Sequence, residues 1–342
     1  MQLQLKLMIS KMFRISLALM FALLLVNCGQ SPDTTMADQK PEARSAPAAP
    51  DLPPPDGLVA ANAEWETLFS GYVYSEGPAA DAYGNVYYAE VTRNHLYVID
   101  VAGDIRLFDE NTSMTMGLVA GPAGWIYGCR NRDAQIVRYN PEGAREVLLR
   151  GEVSPLPGKP NAPGEFCNDL AVDANGGVWF TDRINRRVMY LAPSGVVRAV
   201  AEGFRPNGIV LSADGQMIAV TDSVEARLHA FKVGEDGALT ELADFFDPIL
   251  TVQKLGQENI KPGRPGTNGM TVDSDGRFYV ASFYGIQIFD REGKYVGVIS
   301  SPKEFLSNLT FGGPDYQWLY ATGRQGFYRL KMQVVGPGAP TN

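Results

Sequence analysis

The chain has 342 residues, of which 45% are hydrophobic and 20% are charged, and its formal net charge is −8. This composition is typical of a folded globular protein and excludes a wholly disordered chain. An acidic surface with no basic cluster to offset it repels phosphate backbones, so we expect no nucleic-acid partner.

The N-terminal residues predict an export signal. Lys6, Lys11 and Arg14 carry positive charge, and no acidic residue accompanies them. They precede an apolar run over residues 15–26, which is too short to cross a bilayer of about 30 Å as a helix. We therefore interpret residues 1–27 as a signal peptide of the lipoprotein type.

The end of this segment resembles the lipobox of bacterial lipoproteins. The sequence Leu25-Val26-Asn27-Cys28 closes the apolar run, and the resemblance makes Cys28 the lipidated first residue of the mature chain. Gly29, rather than Asp, follows Cys28 and favours the periplasmic face of the outer membrane. Asn27 replaces the small residue that usually precedes the cysteine, so an ordinary secretory signal and a periplasmic or secreted protein are the alternative. The lipid anchor would be the only membrane contact.

The rest of the chain divides by composition into three parts. Residues 28–62 are rich in Pro, Ala and Ser and lack apolar periodicity, which predicts an extended, flexible tether. Residues 63–334 form the folded domain, and 335–342 form a C-terminal tail. Cys129 and Cys167 could form a disulfide in an exported protein, or could equally be free core residues in neighbouring repeats.

One short pattern occurs six times between Ser75 and Thr322. Each copy begins with a polar or special residue, which is usually followed by Gly. An apolar run, a turn ending in Gly and a second apolar-aromatic run come next. NDLAVDANGGVWFTD, which begins at Asn168, shows the pattern clearly. A repeat of about 40 residues that supplies four short strands has the size of a propeller blade.

The last repeat lacks a fourth strand, and the start of the domain can supply it. Residues 326–332 read as a third strand that only a Pro/Gly tail follows, whereas residues 65–71 resemble the fourth strand at 145–151. Pairing the two ends would remove an exposed sheet edge. We therefore predict an all-β, six-bladed β-propeller closed by an N-terminal strand, and we expect a monomer.

Two rings of side chains follow from the repeat. The first residue of each copy begins an innermost strand at one mouth of the central channel; this entrance ring is Glu76, Met116, Asn168, Asn207, Asn268 and Ser307. The residue about fourteen positions later should lie opposite it across the first hairpin. This partner ring is Glu90, Arg130, Asp182, Asp222, Ser282 and Thr322. The connections 151–167 and 247–267 should arch over the same mouth.

The entrance ring suits a hard cation with oxygen ligands. One carboxylate and three amides match calcium, whereas zinc would favour His or Cys. His95 and His229 lie outside both rings. The alternative is that the Asn-Gly pairs at 207–208 and 268–269 are turn residues before strands.

Four of the repeats resemble the gluconolactonase and senescence marker protein (regucalcin) family. The motifs are SEGPAADAYGNVYYAE, CNDLAVDANGGVWFTD, RPNGIVLSADGQMIAVTDS and TNGMTVDSDGRFYVAS, and the resemblance covers about residues 65–332. It implies a six-bladed propeller with a divalent cation, usually calcium, in its channel, and ligands at Glu76, Asn168 and Asn207. Many members hydrolyse sugar lactones, and related propellers cleave organophosphates.

Asn268 departs from the family pattern, which has an Asp that both binds the metal and acts as base or nucleophile. An amide can bind a cation through its oxygen but cannot accept a proton at neutral pH. Asp222 and Asp182 are then the candidates to activate water, with Glu90 and Asp169 behind them. The alternative role for Asp182 and Asp222 is to cap the ends of inner strands.

Substrate contacts are predicted for Arg130 and Asn168. Arg130 could bind an anionic substrate, or could pair with Glu90 or Asp182. Together these features predict a calcium-dependent hydrolase of a lactone or related ester. The alternative is a non-catalytic binding or scaffold propeller at the cell envelope that kept the metal site and lost turnover at Asn268.

Overall fold

The computed structural model describes residues 54–71, 74–159, 161–251, 266–302 and 305–338. The predicted signal peptide, Cys28 and most of the tether lie outside the described residues, as does part of the connection 247–267. Within the described ranges, no helix is long and apolar enough to cross a membrane.

The described residues form six four-stranded antiparallel sheets. The first three blades are β2–β5 (Ser75–Ala80, Val86–Glu90, His95–Ile99, Ile105–Asp109), β6–β9 (Thr115–Ala120, Ile126–Arg130, Gln135–Tyr139, Arg145–Arg150) and β10–β13 (Leu170–Val172, Val178–Asp182, Arg187–Leu191, Val197–Glu202). The next two are β14–β17 (Pro206–Leu211, Met217–Asp222, Leu228–Val233, Leu239–Glu241) and β18–β21 (Met270–Val272, Phe278–Ser282, Gly285–Phe289, Tyr295–Ile299). The last combines β22–β24 (Leu306–Gly312, Trp318–Gly323, Gly326–Lys331) with β1 (Glu66–Ser70). The only helical elements in these ranges are short 3-10 turns at Pro122–Gly124 and Glu235–Gly237.

The sheets are arranged as a ring of blades around a central channel. The innermost strands contact each other in the order β2, β6, β10, β14, β18, β22 and back to β2. Apolar and aromatic side chains fill the spaces between blades. At the junction of the first and last blades, the rings of Tyr88 and Phe327 stack with centroids 4.0 Å apart. The predicted all-β, six-bladed propeller is confirmed.

The junction of the chain ends lies in the last blade. β1 pairs antiparallel with β24, and Glu66 lies opposite Arg329. β1 therefore provides the outermost strand of a sheet whose other three strands come from the C-terminal end of the domain.

The predicted register of the first hairpin is wrong by one residue. Ser75, not Glu76, lies opposite Glu90, and the second and fourth blades show the same offset. The cause is a β-bulge after Glu76, which adds a residue to the inner strand. Gly77 adopts a φ of 53° there, and a Cβ on it would lie 2.3 Å from the carbonyl oxygen of Met116. In these three blades the entrance-ring and partner-ring residues are therefore not cross-strand partners, whereas in the last blade the hydroxyl oxygens of Ser307 and Thr322 lie 2.9 Å apart.

Cys129 and Cys167 form a disulfide, with Cα atoms 5.7 Å apart. The bond joins β7 to the end of the connection 151–167, directly before Asn168. The Asn131 side-chain oxygen accepts hydrogen bonds from the backbone N–H groups of Phe166 and Cys167, at 2.7 and 3.2 Å. This connection is therefore fixed to the second blade where it enters the third.

Candidate metal and active site

The entrance ring is joined from blade to blade by hydrogen bonds. The N–H of Gly117 donates to the carbonyl oxygen of Asn168 at 2.8 Å. The hydroxyls of Thr181 and Thr221 donate to the carbonyl oxygens of Asn207 and Asn268, at 2.7 and 2.9 Å. These contacts join the inner strands of neighbouring blades around the channel.

Two further contacts extend this series to the last blade and back to the first. The N–H of Gly269 donates to the carbonyl oxygen of Ser307 at 2.8 Å. The Ser307 hydroxyl donates to the carbonyl oxygen of Ser75 at 2.6 Å. Ser307 therefore uses its side chain to join the last blade to the first.

Glu76 is the buried carboxylate of this ring, with only 4% of its surface exposed. The Tyr74 hydroxyl donates to its Oε1 at 2.5 Å, and the N–H of Gly77 donates to its Oε2 at 3.1 Å. The pKa of Glu76 is raised to about 7. Burial is the main cause and the Asp169 carboxylate adds to it, while these two hydrogen bonds and the charge of Arg183 act in the opposite direction. A carboxylate removed from water in this way would be stabilised by a bound cation.

Asn207 presents a buried oxygen to the same mouth. Its Nδ2 donates to the carbonyl oxygen of Thr267 at 3.4 Å, which sets the orientation of the amide. Its Oδ1 is buried and has no hydrogen-bond partner among the described residues. Such an acceptor is costly to bury, and a cation would satisfy it.

Tyr74 influences two of the predicted ligand positions. Its hydroxyl donates to Glu76, and burial raises the pKa of Tyr74 well above its usual value while the side chain of Asn268 lowers it. Asn168 is also buried at the start of the third blade. The structure thus places all four predicted ligands in one ring, and it supports the fit of Glu76 and Asn207 to a cation most directly. The described residues contain no group of three or more His, Cys, Asp or Glu side chains that could hold a metal, so a cation here would depend on amide oxygens.

Asp169 lies one residue below the entrance ring. Its Oδ2 accepts hydrogen bonds from the N–H of Ile209 and from Nδ2 of Asn308, both at 3.3 Å. Burial raises the pKa of Asp169 to about 7. Neighbouring blades carry glycine at this level: a Cβ on Gly117 would lie 2.3 Å from Oδ1 of Asp169, and one on Gly269 would lie 1.9 Å from Oδ1 of Asn308. These glycines make room for Asp169 and Asn308 within the channel.

A cavity in the channel is lined by this pair, not by the ligand ring. Its volume is about 490 Å³, and Asp169 and Asn308 line it together with mostly aliphatic residues of the inner strands. Glu76 and Asn207 do not line it. We place the candidate site at the mouth, because the desolvated carboxylate and the unpartnered amide oxygen lie there.

Asp182 and Asp222 have the contacts of turn caps. The carboxylate of Asp182 accepts from Nδ2 of Asn185 at 2.8 Å and from Nε of Arg187 at 2.8 Å. The Oδ1 of Asp222 accepts from the N–H groups of Val224 and Glu225, at 2.7 and 3.1 Å. Of the two roles that the sequence left open, these contacts favour capping.

His229 adds to the environment of Asp222. Its Nε2 lies 3.5 Å from Oδ2 of Asp222. Burial alone would raise the pKa of Asp222, but the neighbouring imidazole of His229 and the hydrogen bonds from the backbone lower it below its usual range. A carboxyl group held ionised in this way is a weak base.

Two further members of the partner ring, Glu90 and Arg130, also have partners outside the entrance ring. Glu90 accepts from the N–H of Arg93 at 2.6 Å. Arg130 is only 2% exposed and donates to Oδ2 of Asp133 at 2.7 Å and to the carbonyl oxygen of Asn111 at 2.6 Å. Its ion-pair partners are Asp133 and, at 3.9 Å, Asp109, not Glu90 or Asp182 as the sequence suggested. Arg130 is therefore buried among its own partners.

Sequence reasoning missed Tyr74 and Arg183. Arg183 directly follows Asp182, and its guanidinium donates to both carboxylate oxygens of Glu165 in the connection 151–167, with Nε 3.0 Å from Oε1. Its charge also lowers the pKa values of Glu76 and Tyr74. Neither residue belongs to the entrance ring or the partner ring, so the sequence repeat does not point to them.

Fold and site together define a class: a six-bladed propeller that gathers a buried carboxylate and several amides at one mouth of its channel. The family described as SMP-30/Gluconolactonase/LRE-like region matches residues 74–325 of the chain. The chain belongs to this family, as the sequence motifs predicted.

Individual relatives are similar at modest identity. The chain is 26% identical over 241 residues to the gluconolactonase of Zymomonas mobilis, covering 64% of each protein. It is 25% identical over 241 residues to the pentonolactonase XacC of Haloferax volcanii, covering 66% of this chain and 76% of that protein. A solved gluconolactonase structure from Xanthomonas campestris has a TM-score of 0.64 and 25% identity, covering 86% of this chain and 99% of that one. The chain spans less than two thirds of the Zymomonas protein.

Proposed function

We propose that the protein hydrolyses a lactone, of the sugar-lactone type or a related ester, at the mouth of the propeller channel, and that it does so with calcium or another divalent cation. Membership of the family and the similarity to two lactonases support the reaction class. The site is supported by two observations together: the Glu76 carboxylate is desolvated, and Oδ1 of Asn207 is buried without a hydrogen-bond partner among the described residues.

Four side chains would hold the cation: Glu76, Asn168, Asn207 and Asn268. Their donor set, one carboxylate and three amides, matches the oxygen ligands that calcium accepts. A bound divalent cation would polarise the lactone carbonyl and stabilise negative charge on its oxygen. With a single carboxylate in the set, we expect calcium to bind more weakly than at a site with two.

The chain's own residues prepare this mouth in two ways. The Tyr74 hydroxyl holds the Glu76 carboxylate by a hydrogen bond, and the carbonyl oxygen of Thr267 accepts a hydrogen bond from the amide of Asn207. These contacts orient the ligands before any substrate arrives, so little ordering is left to occur on binding.

The second candidate function is a binding or scaffold propeller without turnover. It is favoured by one observation: the carboxylates of Asp182 and Asp222, proposed to activate water, are engaged in capping contacts. Each would first have to exchange a cap for a water molecule, and Asn268 cannot accept the proton instead.

Lactone hydrolysis measured before and after chelation tests the first function against the second. We expect purified protein to open glucono-1,5-lactone and to lose this activity in EDTA, with recovery on adding excess calcium. Asn207→Ala should need more calcium for half-maximal rate, whereas Asn175→Ala, at an exposed hairpin turn, should behave as wild type. Calcium binding without turnover of several lactones would overturn the hydrolase in favour of the scaffold.

The cellular setting is proposed from the sequence. We infer a lipid anchor on Cys28, placement on the periplasmic face of the outer membrane, a monomeric propeller, and ring closure by β1. Cys28→Ala should move the protein from the membrane to the soluble fraction, and a membrane-bound variant would contradict the anchor. Deletion of residues 54–71 should lower the unfolding midpoint, because it exposes the edge of β24; an unchanged midpoint would contradict closure.

A further inference from the structure

A second pocket, of about 410 Å³, is lined by the end of the third blade and the connection 151–167. Among its described lining residues, four are cations, Lys159, Arg183, Arg186 and Arg205, and the other three are apolar. The described lining thus includes no carboxylate, although the chain as a whole has a net charge of −8. Such a concentration of positive charge on an acidic protein attracts anions.

The pocket adjoins the ligand ring through two of its cations. Arg183 directly follows β11, and its charge lowers the pKa values of Glu76 and Tyr74, which places it within electrostatic reach of the proposed metal site. Arg205 lies two residues before Asn207. A small molecule held at the ring could therefore reach the pocket with a second group.

The walls of the pocket are held in place. Glu165 binds the guanidinium of Arg183 through both carboxylate oxygens. The Nδ2 of Asn185 donates to the hydroxyl of Ser154 at 2.8 Å, and this joins the connection 151–167 to the third blade. Glu165 offsets the charge of Arg183. Within the described residues no ion pair neutralises Lys159 or Arg186, so positive charge remains for an anion.

Arg186 is not required by the turn in which it lies. It has a φ of 61°, and the equivalent turns of the first and second blades have Asn94 at 59° and Ala134 at 49°. Its Nη2 donates to the carbonyl oxygen of Gly203 at 2.8 Å. Because Asn occupies this turn in the first blade, Arg186→Asn removes the charge while suiting the backbone.

We propose that this pocket binds the anionic group of an acidic lactone, a carboxylate or a phosphate, while its ring ester lies at the metal site. This inference rests on the proposed lactonase function. Hydrolysis adds one water across the ring C–O ester bond, leaving a carboxylate and a hydroxyl and releasing one proton. The planar guanidinium groups suit two-point binding of a carboxylate or phosphate.

Steady-state rates on three lactones test the inference through proton release. The substrates are glucono-1,5-lactone, which is neutral, a glucaric acid monolactone, which carries a carboxylate, and 6-phosphogluconolactone. We expect kcat/KM to be higher for at least one acidic lactone, and Arg186→Asn to lower the acidic-to-neutral ratio roughly tenfold, chiefly through KM. The preferred acidic substrate identifies carboxylate or phosphate as the anion. Arg291→Asn, at an exposed turn of the fifth blade, should leave the ratio unchanged.

A binding measurement separates the two ways this test could fail. Calorimetric titration of the wild type with inorganic phosphate and with D-glucarate should show binding that weakens in Arg186→Asn. Equal kcat/KM for neutral and acidic lactones would overturn the anion pocket and leave the lactonase standing. Turnover of none of the three would overturn the lactonase, and failure of both probes to bind would overturn the pocket independently.

Discussion

Acidic and amide side chains occur at both ends of the first hairpin of the blades, but their solvation and hydrogen bonding differ between the two ends. At the start of the inner strand, Glu76 is desolvated and Asn207 leaves an oxygen without a partner. At the end of the second strand, Asp182 and Asp222 are saturated by their own turns. A carboxylate or amide in a repeat is therefore a candidate ligand only where the fold leaves its oxygens unpartnered.

The β-bulge explains the difference. By adding a residue at Gly77, it shifts the register so that Ser75 faces Glu90. Glu76 is then released from cross-strand pairing with the partner ring, while Glu90 is left to receive the N–H of Arg93 in the following turn. The entrance ring can serve a ligand because the partner ring serves the fold.

The difference between the two rings is tested most strongly by replacing Glu76 and Glu90 with glutamine in separate variants. Glu76→Gln should weaken calcium binding roughly 100-fold or more, since a buried cation loses its only anionic ligand. Glu90→Gln should change the affinity less than about twofold, because a surviving amide oxygen can still cap the turn. Calorimetry on both variants measures this. Equal losses of calcium affinity in the two variants would mean that the entrance ring and the partner ring do not differ in function.

The pH dependence of calcium binding is the next largest effect. The pKa of Glu76 is raised to about 7 by burial, so protons compete with the cation below that pH. Affinity should rise about tenfold per pH unit up to roughly pH 7 and then level off. Titrations between pH 5.5 and 8.5 measure the profile. A flat profile would show that Glu76 is ionised throughout this range or is not a ligand.

Asn268→Asp should strengthen calcium binding by the entrance ring. A second carboxylate would tighten calcium binding roughly tenfold, because it neutralises more of the cation's charge. Any turnover should rise as well, since Asp can accept a proton where Asn cannot. Affinity and lactone hydrolysis are measured on the same preparation. No change in either would remove Asn268 from the site.

The smallest effect is expected in the partner ring. Asp222→Asn should lower the free energy of unfolding by about 1–2 kcal/mol, since it weakens the cap on Val224 and Glu225 and the contact to His229. Urea denaturation measures this loss, and lactone hydrolysis measures the other role. Abolished turnover at unchanged stability would restore Asp222 as the base.

The repeat in the sequence was sufficient for the architecture and for the entrance ring. Blade number and the position of Glu76 follow from hairpin turns and spacing, which are local properties. The register was not predictable, because the bulge depends on how closely Gly77 approaches the next blade. Tyr74 and Arg183 were missed because neither belongs to the entrance ring or the partner ring, the two sets of positions that the repeat defines.

The central claim is that the entrance ring holds a cation through an amide oxygen the fold leaves without a partner. Calorimetric titration of chelated protein with calcium tests it most directly, on wild type, Asn207→Ala and the turn control Asn175→Ala. We expect one site in the wild type, at least about tenfold weaker binding in Asn207→Ala, and no change in Asn175→Ala. Equal affinity in all three proteins, or no binding to the wild type, would contradict the claim.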